Sequence, residues 1–402
     1  MARIDAAVQD GTEKTPPAST AIPNGGLKAW LQVLGGFFVF FSTFGVTNAF
    51  GVFEAYYADG HLGSSTKSSI SIIGAIQTFI LLASASIAGP LCDHGYFYQL
   101  IVAGSFLSCL GMFMTSLSDK YYQVLLAQGI CVGLGSGFLF TPSMAVLSTY
   151  FSTRRNLAVG VAATGSSIGG IIYPVTFYYL QPQIGYAWAC HEVRTLTSKG
   201  KKYIDTSIFV DRTFMLYAIS MFVGFVGVFI PFFYISNMAG AIATRSSSVA
   251  LSFLLVMNGV STFGRLIPGL LADRIGPLNV ICISSVASMV LVWCWIPADR
   301  IGGLFAFAAL YGFFSGAFVS LPSMTTVALS PDLRAIGARM GFVNALAGSG
   351  VLLGQPIAGA ILESTGSYLG LQCWAASALA VSSILLILAR VSKVGPSVAQ
   401  KA

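Results

Sequence analysis

Long apolar stretches alternate with short polar connections along most of this chain. Eleven such stretches can be counted, at approximately 29–57, 68–91, 99–118, 121–150, 157–180, 213–235, 249–272, 278–297, 301–329, 335–362 and 368–390. An α-helix needs about 20 apolar residues to cross a hydrocarbon core about 30 Å thick, whereas membrane β-strands are shorter and alternate apolar with polar positions. The pattern therefore predicts an all-α polytopic membrane protein with eleven spans.

A second pattern recurs at a fixed distance along the chain. The segment Gly89–Asp93 is matched by Gly269–Asp273, and the tripeptide Pro-Ser-Met at 142–144 recurs at 322–324, in each case 180 residues later. The segments GSSIGGIIYP and GSGVLLGQP match within a residue or two. Self-similarity at one spacing is the signature of an internal repeat, so we predict two parallel halves, each built around six helices.

One stretch does not fit this repeat. The last apolar stretch maps back onto Trp188–Val210, WACHEVRTLTSKGKKYIDTSIFV, which holds two acidic and four basic side chains. A charge at the centre of a span costs about 2.5–3.5 kcal/mol, so this segment cannot be a lipid-facing helix. We predict that helix six is missing and that the segment forms a loop or a short surface helix.

Two explanations of the missing helix remain open. A re-entrant or surface-lying segment would restore the parity of the loop charges, which otherwise places arginines of the two halves on opposite sides of the membrane. A truncated gene model or splice variant would explain the gap directly. We favour the truncation because the deletion is close to one helix in length.

The pattern divides the chain into five parts. We predict a disordered cytosolic tail, an N-terminal transmembrane half with helices one to five, a polar central connection in place of helix six, a C-terminal transmembrane half with helices seven to twelve, and a second cytosolic tail, at 1–26, 27–187, 188–212, 213–391 and 392–402.

Composition narrows the class of protein. Only 9% of the residues are charged and 55% are hydrophobic, whereas a soluble domain carries about 25% charged residues. The net charge of +7 indicates topology, because Lys and Arg collect in cytoplasmic loops. We expect no nucleic-acid partner, no nucleotide site, no metal and no cofactor, and the cysteines form no ligand cluster. The expected location is the plasma membrane, with both termini cytosolic if helix six were present.

Three stretches carry a resemblance to a known family. They are PNGGLKAWLQVLGGF before the first span, YFSTRRNLAVGVAATGSSIGG leading into the fifth, and FGRLIPGLLADRIGP around Asp273. With them the chain resembles the major facilitator superfamily, and more specifically the fungal branch of its monocarboxylate porter family. The resemblance implies the major facilitator fold and secondary active transport. Its fungal members include vitamin carriers and exporters associated with secondary-metabolite gene clusters.

The chain departs from the animal lactate carriers of this family at two positions. Asn48 stands where those carriers have a lysine that takes part in substrate and proton binding, and Ser261 stands where they have an aspartate paired with an arginine. These departures give little support to proton-coupled lactate transport.

Arg265 is the sharpest candidate for substrate binding. It lies eight residues before Asp273, which is about 12 Å along a helix and therefore near mid-membrane. An intramembrane cation of this kind commonly faces a water-filled cavity, and a planar guanidinium suits a carboxylate or an enolate. The alternative is a structural hydrogen bond to nearby carbonyls. Asn48 and Asn258 are further substrate candidates, against the alternative that they join helices.

A second group of residues suggests a gate. We predict that Asp93 and Asp273 cap neighbouring helix N-termini and pair with loop arginines, which in this chain are Arg154, Arg155 and Arg274. The alternative is a solvated loop. His94 replaces an arginine typical of the family, which predicts a weaker latch in the first half.

These observations predict a secondary active transporter that moves a small organic molecule by alternating access. The substrate is an organic anion, a vitamin or a secondary metabolite, with efflux as one direction. The alternative is a transport-inactive ligand sensor or truncated pseudo-transporter. No nucleophile with a base and no paired carboxylates lie within the spans, so we predict that the protein is not an enzyme. Its partners are the substrate and the lipid bilayer, and we expect a monomer.

Overall fold

The computed structural model describes residues 25–57, 62, 66–151, 153–184, 211–242, 247–298, 300–330, 336–395 and 400. Every regular element within these residues is helical, and eleven helices are long and apolar enough to cross a membrane. The prediction of an all-α protein with eleven spans is therefore confirmed. We number the spans α1 to α11 in chain order.

The first half contains five spans, three of which are interrupted. The pieces are α1 (Leu27–Ser42, Phe44–Asn48 and Phe50–Tyr56), α2 (Lys67–Ala83 and Ala85–Asp93), α3 (Phe97–Ser116), α4 (Tyr121–Val124, a π-helical Leu125–Val132 and Gly133–Tyr150) and α5 (Arg155–Ile184). The predicted tail 1–26 and the predicted connection 188–212 lie almost entirely outside the described residues, so the expected loop or surface helix at Trp188–Val210 stays a prediction.

The second half contains six spans. They are α6 (Arg212–Val228 and Ile230–Ile242), α7 (Ser247–Ile275), α8 (Pro277–Trp295), α9 (Ile301–Leu329), α10 (Ile336–Thr365) and α11 (Tyr368–Val394). The last helix continues to Val394, three residues beyond the predicted boundary at 391.

The ends of several helices share one side of the molecule, which we call the near face. Asp273 at the end of α7 contacts the start of α5, and Gly89 near the end of α2 packs directly against Gly337 at the start of α10. Because α5 has 30 residues, it carries the chain about 45 Å to the opposite, far face. Asp211, which precedes α6, returns to the near face beside Arg339 of α10. The two halves are therefore parallel although one span is absent from the count.

The halves meet along two seams, α5 with α7 and α2 with α10. Glycines allow the backbones to approach closely at both. Gly269 of α7 packs against Asn156 and Gly160 of α5, and Gly341 of α10 packs against Ala85 of α2. A Cβ atom at these positions would meet backbone atoms of the other half, so the seams require glycine. Small residues at such positions are typical of membrane helix interfaces.

Among the described residues, no helix covers the side of the first half that would receive a sixth helix. Only 33% of the most apolar part of α3 is buried, against 50% for α8. A cavity of about 300 Å³ lies between α3 and α4, lined by Leu110, Leu126 and Cys131 among others. An apolar surface of this kind can be covered by lipid at little cost, because lipid tails are as apolar as the side chains.

Candidate transport site

Asp273 joins the two halves at the near face. Its carboxylate oxygens accept hydrogen bonds from the backbone N–H groups of Asn156, at 3.2 Å, and Leu157, at 3.1 Å. These donors belong to the first turn of α5, where backbone N–H groups have no partner within the helix. A carboxylate there also interacts favourably with the positive end of the helix dipole. The side chain of Asp273, which belongs to the second half, therefore caps a helix of the first half.

Asp93 makes the reciprocal contact from the first half. Its carboxylate packs on Gly337 and accepts a hydrogen bond from the backbone N–H of Ala338, in the first turn of α10. The adjacent His94 uses Nδ1 to contact the carbonyl oxygen of Pro90 at 2.7 Å, within its own helix. Each half thus supplies one acid that caps a helix of the other half.

The three arginines of the predicted gate are placed differently from the aspartates. Arg155 donates from Nε to the carbonyl oxygen of Phe151 at 3.0 Å. Arg154 and Arg274 are exposed, and neither side chain makes a hydrogen bond or ion pair with the described residues. Both acids cap helix N-termini, as predicted.

Arg265 lies in the seam between α5 and α7 and is only 4% exposed. Its guanidinium donates through Nη1 to the carbonyl oxygen of Ala163, at 3.3 Å, and through Nε to the hydroxyl of Ser261, at 3.3 Å. The first contact crosses to the other half, so this cation fastens the seam. The structure thus contains the hydrogen bond to a nearby carbonyl that a structural role of Arg265 would require.

The two candidate asparagines converge on the same part of α5. Asn48 of α1 donates to the carbonyl oxygen of Ser166 at 3.4 Å. Asn258 of α7 packs directly against Gly170 and donates to the carbonyl oxygen of Leu254 at 3.1 Å. Together with Arg265, all three substrate candidates therefore contact one stretch of α5, residues 163–170, with Asn48 reaching it from the first half and the other two from the second.

Comparison with known proteins identifies the family. A model described as Major Facilitator Superfamily matches residues 34–190. The chain is 40% identical over 376 residues to the MFS-type transporter dbaD of Emericella nidulans, covering 89% of this chain and 85% of that protein. It is 33% identical over 386 residues to the aspyridones efflux protein apdF of the same organism, covering 92% of this chain and 79% of that protein. The chain belongs to the major facilitator superfamily.

A solved structure shows the same fold. The human organic anion transporter MFSD10 (TETRAN) superposes with a TM-score of 0.64 over 89% of this chain and 97% of that chain, at 14% sequence identity. The eleven apolar helices and the related transporters together show that this chain is an integral, multi-pass membrane transporter, as its sequence predicts.

The relatives also bear on the missing helix. The alignment with MFS-type transporter 1 of Ophiocordyceps sp. is 420 residues long at 35% identity. That length exceeds the 402 residues of this chain, so the relative has at least 18 residues that this chain lacks.

Arg339 is a buried residue of this transporter that the sequence does not distinguish from an ordinary loop cation. It is 1% exposed at the start of α10. Its Nη1 lies 3.8 Å from a carboxylate oxygen of Asp211 and donates to the carbonyl oxygen of Leu329 at 3.3 Å. The guanidinium carbon also lies 4.9 Å from the ring centre of Phe214. Arg339 therefore ties the start of α6 to α9 and α10, within the second half.

A second polar cluster lies towards the far face. Glu54 of α1 is 7% exposed, although its sequence position suggests a helix end. Its Oε1 accepts a hydrogen bond from the hydroxyl of Ser71 of α2 at 2.7 Å. Tyr234 of α6 lies close to this pair, and its hydroxyl donates to the backbone carbonyl of Gln355 in α10 at 3.4 Å. Polar groups of the two halves thus lie next to each other here.

Proposed function

We propose that this protein is a secondary active exporter of a small organic molecule that works by alternating access between its two halves. The reciprocal caps made by Asp93 and Asp273 carry the proposal, because each cap is formed across the boundary that must open at the near face. Since each contact belongs to one conformation, it biases the equilibrium between two states without forming part of the substrate path.

The relatives support export as the direction and a natural product as the substrate. One relative is an aspyridones efflux protein, and another, from Paecilomyces divaricatus, is an agnestins efflux protein at 34% identity over 393 residues. The substrate class therefore extends from organic anions and vitamins to secondary metabolites. Within the superfamily we assign the chain to the fungal branch of the monocarboxylate porters, on the three motifs found in its sequence.

We place one wall of the substrate path along α5, at residues 163–170. Arg265, Asn48 and Asn258 all contact this stretch. Opening the seam between α5 and α7 would release Arg265 from the carbonyl of Ala163 and leave its guanidinium free to bind an anionic oxygen.

The proposal also includes the location, the oligomeric state and the orientation of the protein. We place the protein in the plasma membrane as a monomer, with the near face in the cytosol. The arginines at 154, 155, 274 and 339 all lie at or beside helix ends on that face, as the excess of cations in cytoplasmic loops requires.

Disruption of the gene in the organism that encodes it tests the proposal. Untargeted mass spectrometry of cells and medium should show at least one small organic compound retained in the cells, and expression of the 402-residue chain should return it to the medium. An unchanged distribution of every compound between cells and medium would contradict export.

A second candidate function is a ligand sensor that binds without transport. The charged segment Trp188–Val210, which stands where the repeat predicts helix six, favours it, because a first half that lacks helix six is less stable. The same experiment separates the candidates. A sensor would change which compounds the cell makes, whereas an exporter changes where a compound accumulates.

A further inference from the structure

Gln355 of α10 is the most conspicuous buried polar group that the site above does not use. Its side chain is fully buried, and neither the amide nitrogen nor the amide oxygen makes a hydrogen bond with the described residues. Burial of an unpaired amide costs about 1–3 kcal/mol in proteins. Native structures therefore avoid such groups unless a ligand, a water molecule or a functional requirement explains them.

The register of α10 places Gln355 on the seam between the halves. Gly341 packs on Ala85 of α2, and two turns later Gly348 packs on Phe79 and Leu82. Gln355 follows Gly348 by seven residues, which returns it to within about 20° of the same helix face. Its backbone carbonyl also accepts the hydroxyl of Tyr234. The unpaired amide is thus held at the junction of α2, α6 and α10.

Asn344 shares that face of α10. It precedes Gly348 by four residues, and its Nδ2 also makes no hydrogen bond with the described residues. The two amides lie eleven residues apart, about 16 Å along the helix. They form a polar line on a seam that has to separate during transport.

Gln77 of α2 provides a contrast. It too is buried and unpaired, but its backbone packs against Gly133 of α4. It follows Ile73, whose carbonyl faces Gly129 of α4, so this glutamine belongs to the packing inside the first half. Separation of the halves would expose Gln355 and leave the surroundings of Gln77 unchanged.

We propose that Gln355, with Asn344 closer to the near face, binds a neutral group of the substrate. This group presents a hydrogen-bond donor and a hydrogen-bond acceptor side by side, as a lactam or a primary carboxamide does. This inference rests on the proposed function. An amide side chain offers one donor edge and one acceptor edge, so a cis-amide completes both hydrogen bonds in one plane. An isolated carboxylate completes only the donor side and leaves the Gln355 oxygen unpaired.

The chemistry differs from that of the α5 wall. Arg265 selects for negative charge but has protein partners in this conformation. The side-chain amide of Gln355 has none among the described residues. We therefore assign recognition of the neutral part of the substrate to α10, on the opposite seam from the cation. A substrate that carries both a lactam and an acidic oxygen would use both seams.

Thermal unfolding of the full chain in lipid nanodiscs tests the site with three probes of similar size. 2-Pyridone has an adjacent donor and acceptor, N-methyl-2-pyridone lacks the donor, and benzoate is an anion. A ligand that binds only the folded state raises the melting temperature. We expect 2-pyridone to raise it, and the other two probes to have a smaller effect or none.

Matched variants locate the binding. Gln355→Leu should abolish the shift produced by 2-pyridone, whereas Gln77→Leu should retain it. The melting temperature of ligand-free Gln355→Leu should rise, because the variant removes an unpaired buried amide. Gln355→Met provides a second apolar variant if the leucine does not fold. Gln372→Leu should lower the melting temperature, because the Nε2 of Gln372 donates to the carbonyl oxygen of Trp295 at 3.4 Å.

Each remaining result counts against the site. No shift with 2-pyridone, a shift that persists in Gln355→Leu, or an equal shift with benzoate would overturn it. A fall in melting temperature for both apolar variants at 355 would show that the amide is structural and bound to water only. Failure of the site and failure of the function are separable, since gene disruption reports export regardless of which probe binds.

Discussion

The two halves differ at the position of their sixth helix. In the second half, α11 fills the groove between α6 and α8. The hydroxyl of Ser382 donates to the carbonyl oxygen of Ser220 at 2.8 Å, and Arg390 donates to the Oδ1 of Asn279 at 3.0 Å. In the first half the described residues place no helix against the outer sides of α1 and α3. Leu34 and Phe38 of α1 are 49% and 54% exposed there.

This difference separates the parts of the fold that hold the transporter together from those that enclose it. The seams between the halves involve α2, α5, α7 and α10, all of which are present. A peripheral helix contributes side-to-side packing, which lipid can replace for apolar surfaces. It also returns the chain to the near face, because Ile184 ends α5 at the far face and Arg212 begins α6 at the near face. A sixth helix in the first half would therefore contribute to stability more directly than to the site.

The largest effect is expected from restoring that connection. Insertion of an apolar helix of about twenty residues after Cys190 should raise the amount of folded protein in the membrane severalfold, because a helix crosses lipid with its backbone hydrogen bonds satisfied. Fluorescence size-exclusion chromatography of detergent-solubilised protein measures it. The control is an insert of the same length made of glycine and serine, which should not help. Equal amounts of folded protein from the unmodified chain and from the chain with the apolar insert would show that the unmodified chain is not destabilised by the lack of this helix.

The next effect compares polar contacts on the two outer sides. Arg390→Ala should destabilise the protein by about 1.5–3 kcal/mol, because it removes charged hydrogen bonds and leaves the side chain of Asn279 with one partner fewer. Gln99→Ala, at an exposed position of α3, should change stability by less than about 0.5 kcal/mol. Denaturant unfolding followed by tryptophan fluorescence gives both values. Similar losses in the two variants would show that the outer side of α3 is occupied.

The smallest effect tests the same contrast with a single methyl group. Gly227 of α6 faces α11, and a Cβ there would lie 2.7 Å from the carbonyl oxygen of Ala375. A Cβ at Gly35 of α1 would meet nothing within 4 Å. Gly227→Ala should therefore destabilise the protein. Gly35→Ala should stabilise it by about 0.5–1 kcal/mol through helix propensity. A destabilising Gly35→Ala, measured by the same unfolding experiment, would contradict an open side.

Much of the fold, and the acids of the candidate site, could be predicted from the sequence, because spans and repeats are local or periodic signals. The apolar stretches define the eleven helices, and the repeated Gly89–Asp93 and Gly269–Asp273 point to the acids that cap across the halves. The pairing of these acids with Arg154 and Arg274 could not be judged, because those arginines are free to extend into solvent from helix ends. Charge alone does not say whether a cation at a helix end stays in water.

The buried polar groups show where such reasoning stops. Arg339 looks like a loop cation, yet Phe214 and Asp211 enclose it. Gln355 looks like any amide between helices, and only the packing of α10 on α2 shows that it has no partner. These properties depend on contacts between residues more than a hundred positions apart, which no single-sequence pattern records.

The reciprocal caps that close the near face are the central element of the proposed transport cycle. Spin labels can be attached at Gln99→Cys and Val391→Cys in a cysteine-free background, because both positions are exposed near that face and lie in opposite halves. Pulsed electron–electron double resonance then measures the distance between the two labels, which reports how far the near face is open. Loss of a helix cap costs about 0.5–2 kcal/mol, so Asp93→Ala with Asp273→Ala should add a population with a longer distance. Asp273→Ala alone should have more effect than Asp93→Ala, since Asp273 holds two backbone N–H groups. A distance distribution that superposes on that of the parent protein in the double variant would contradict the account.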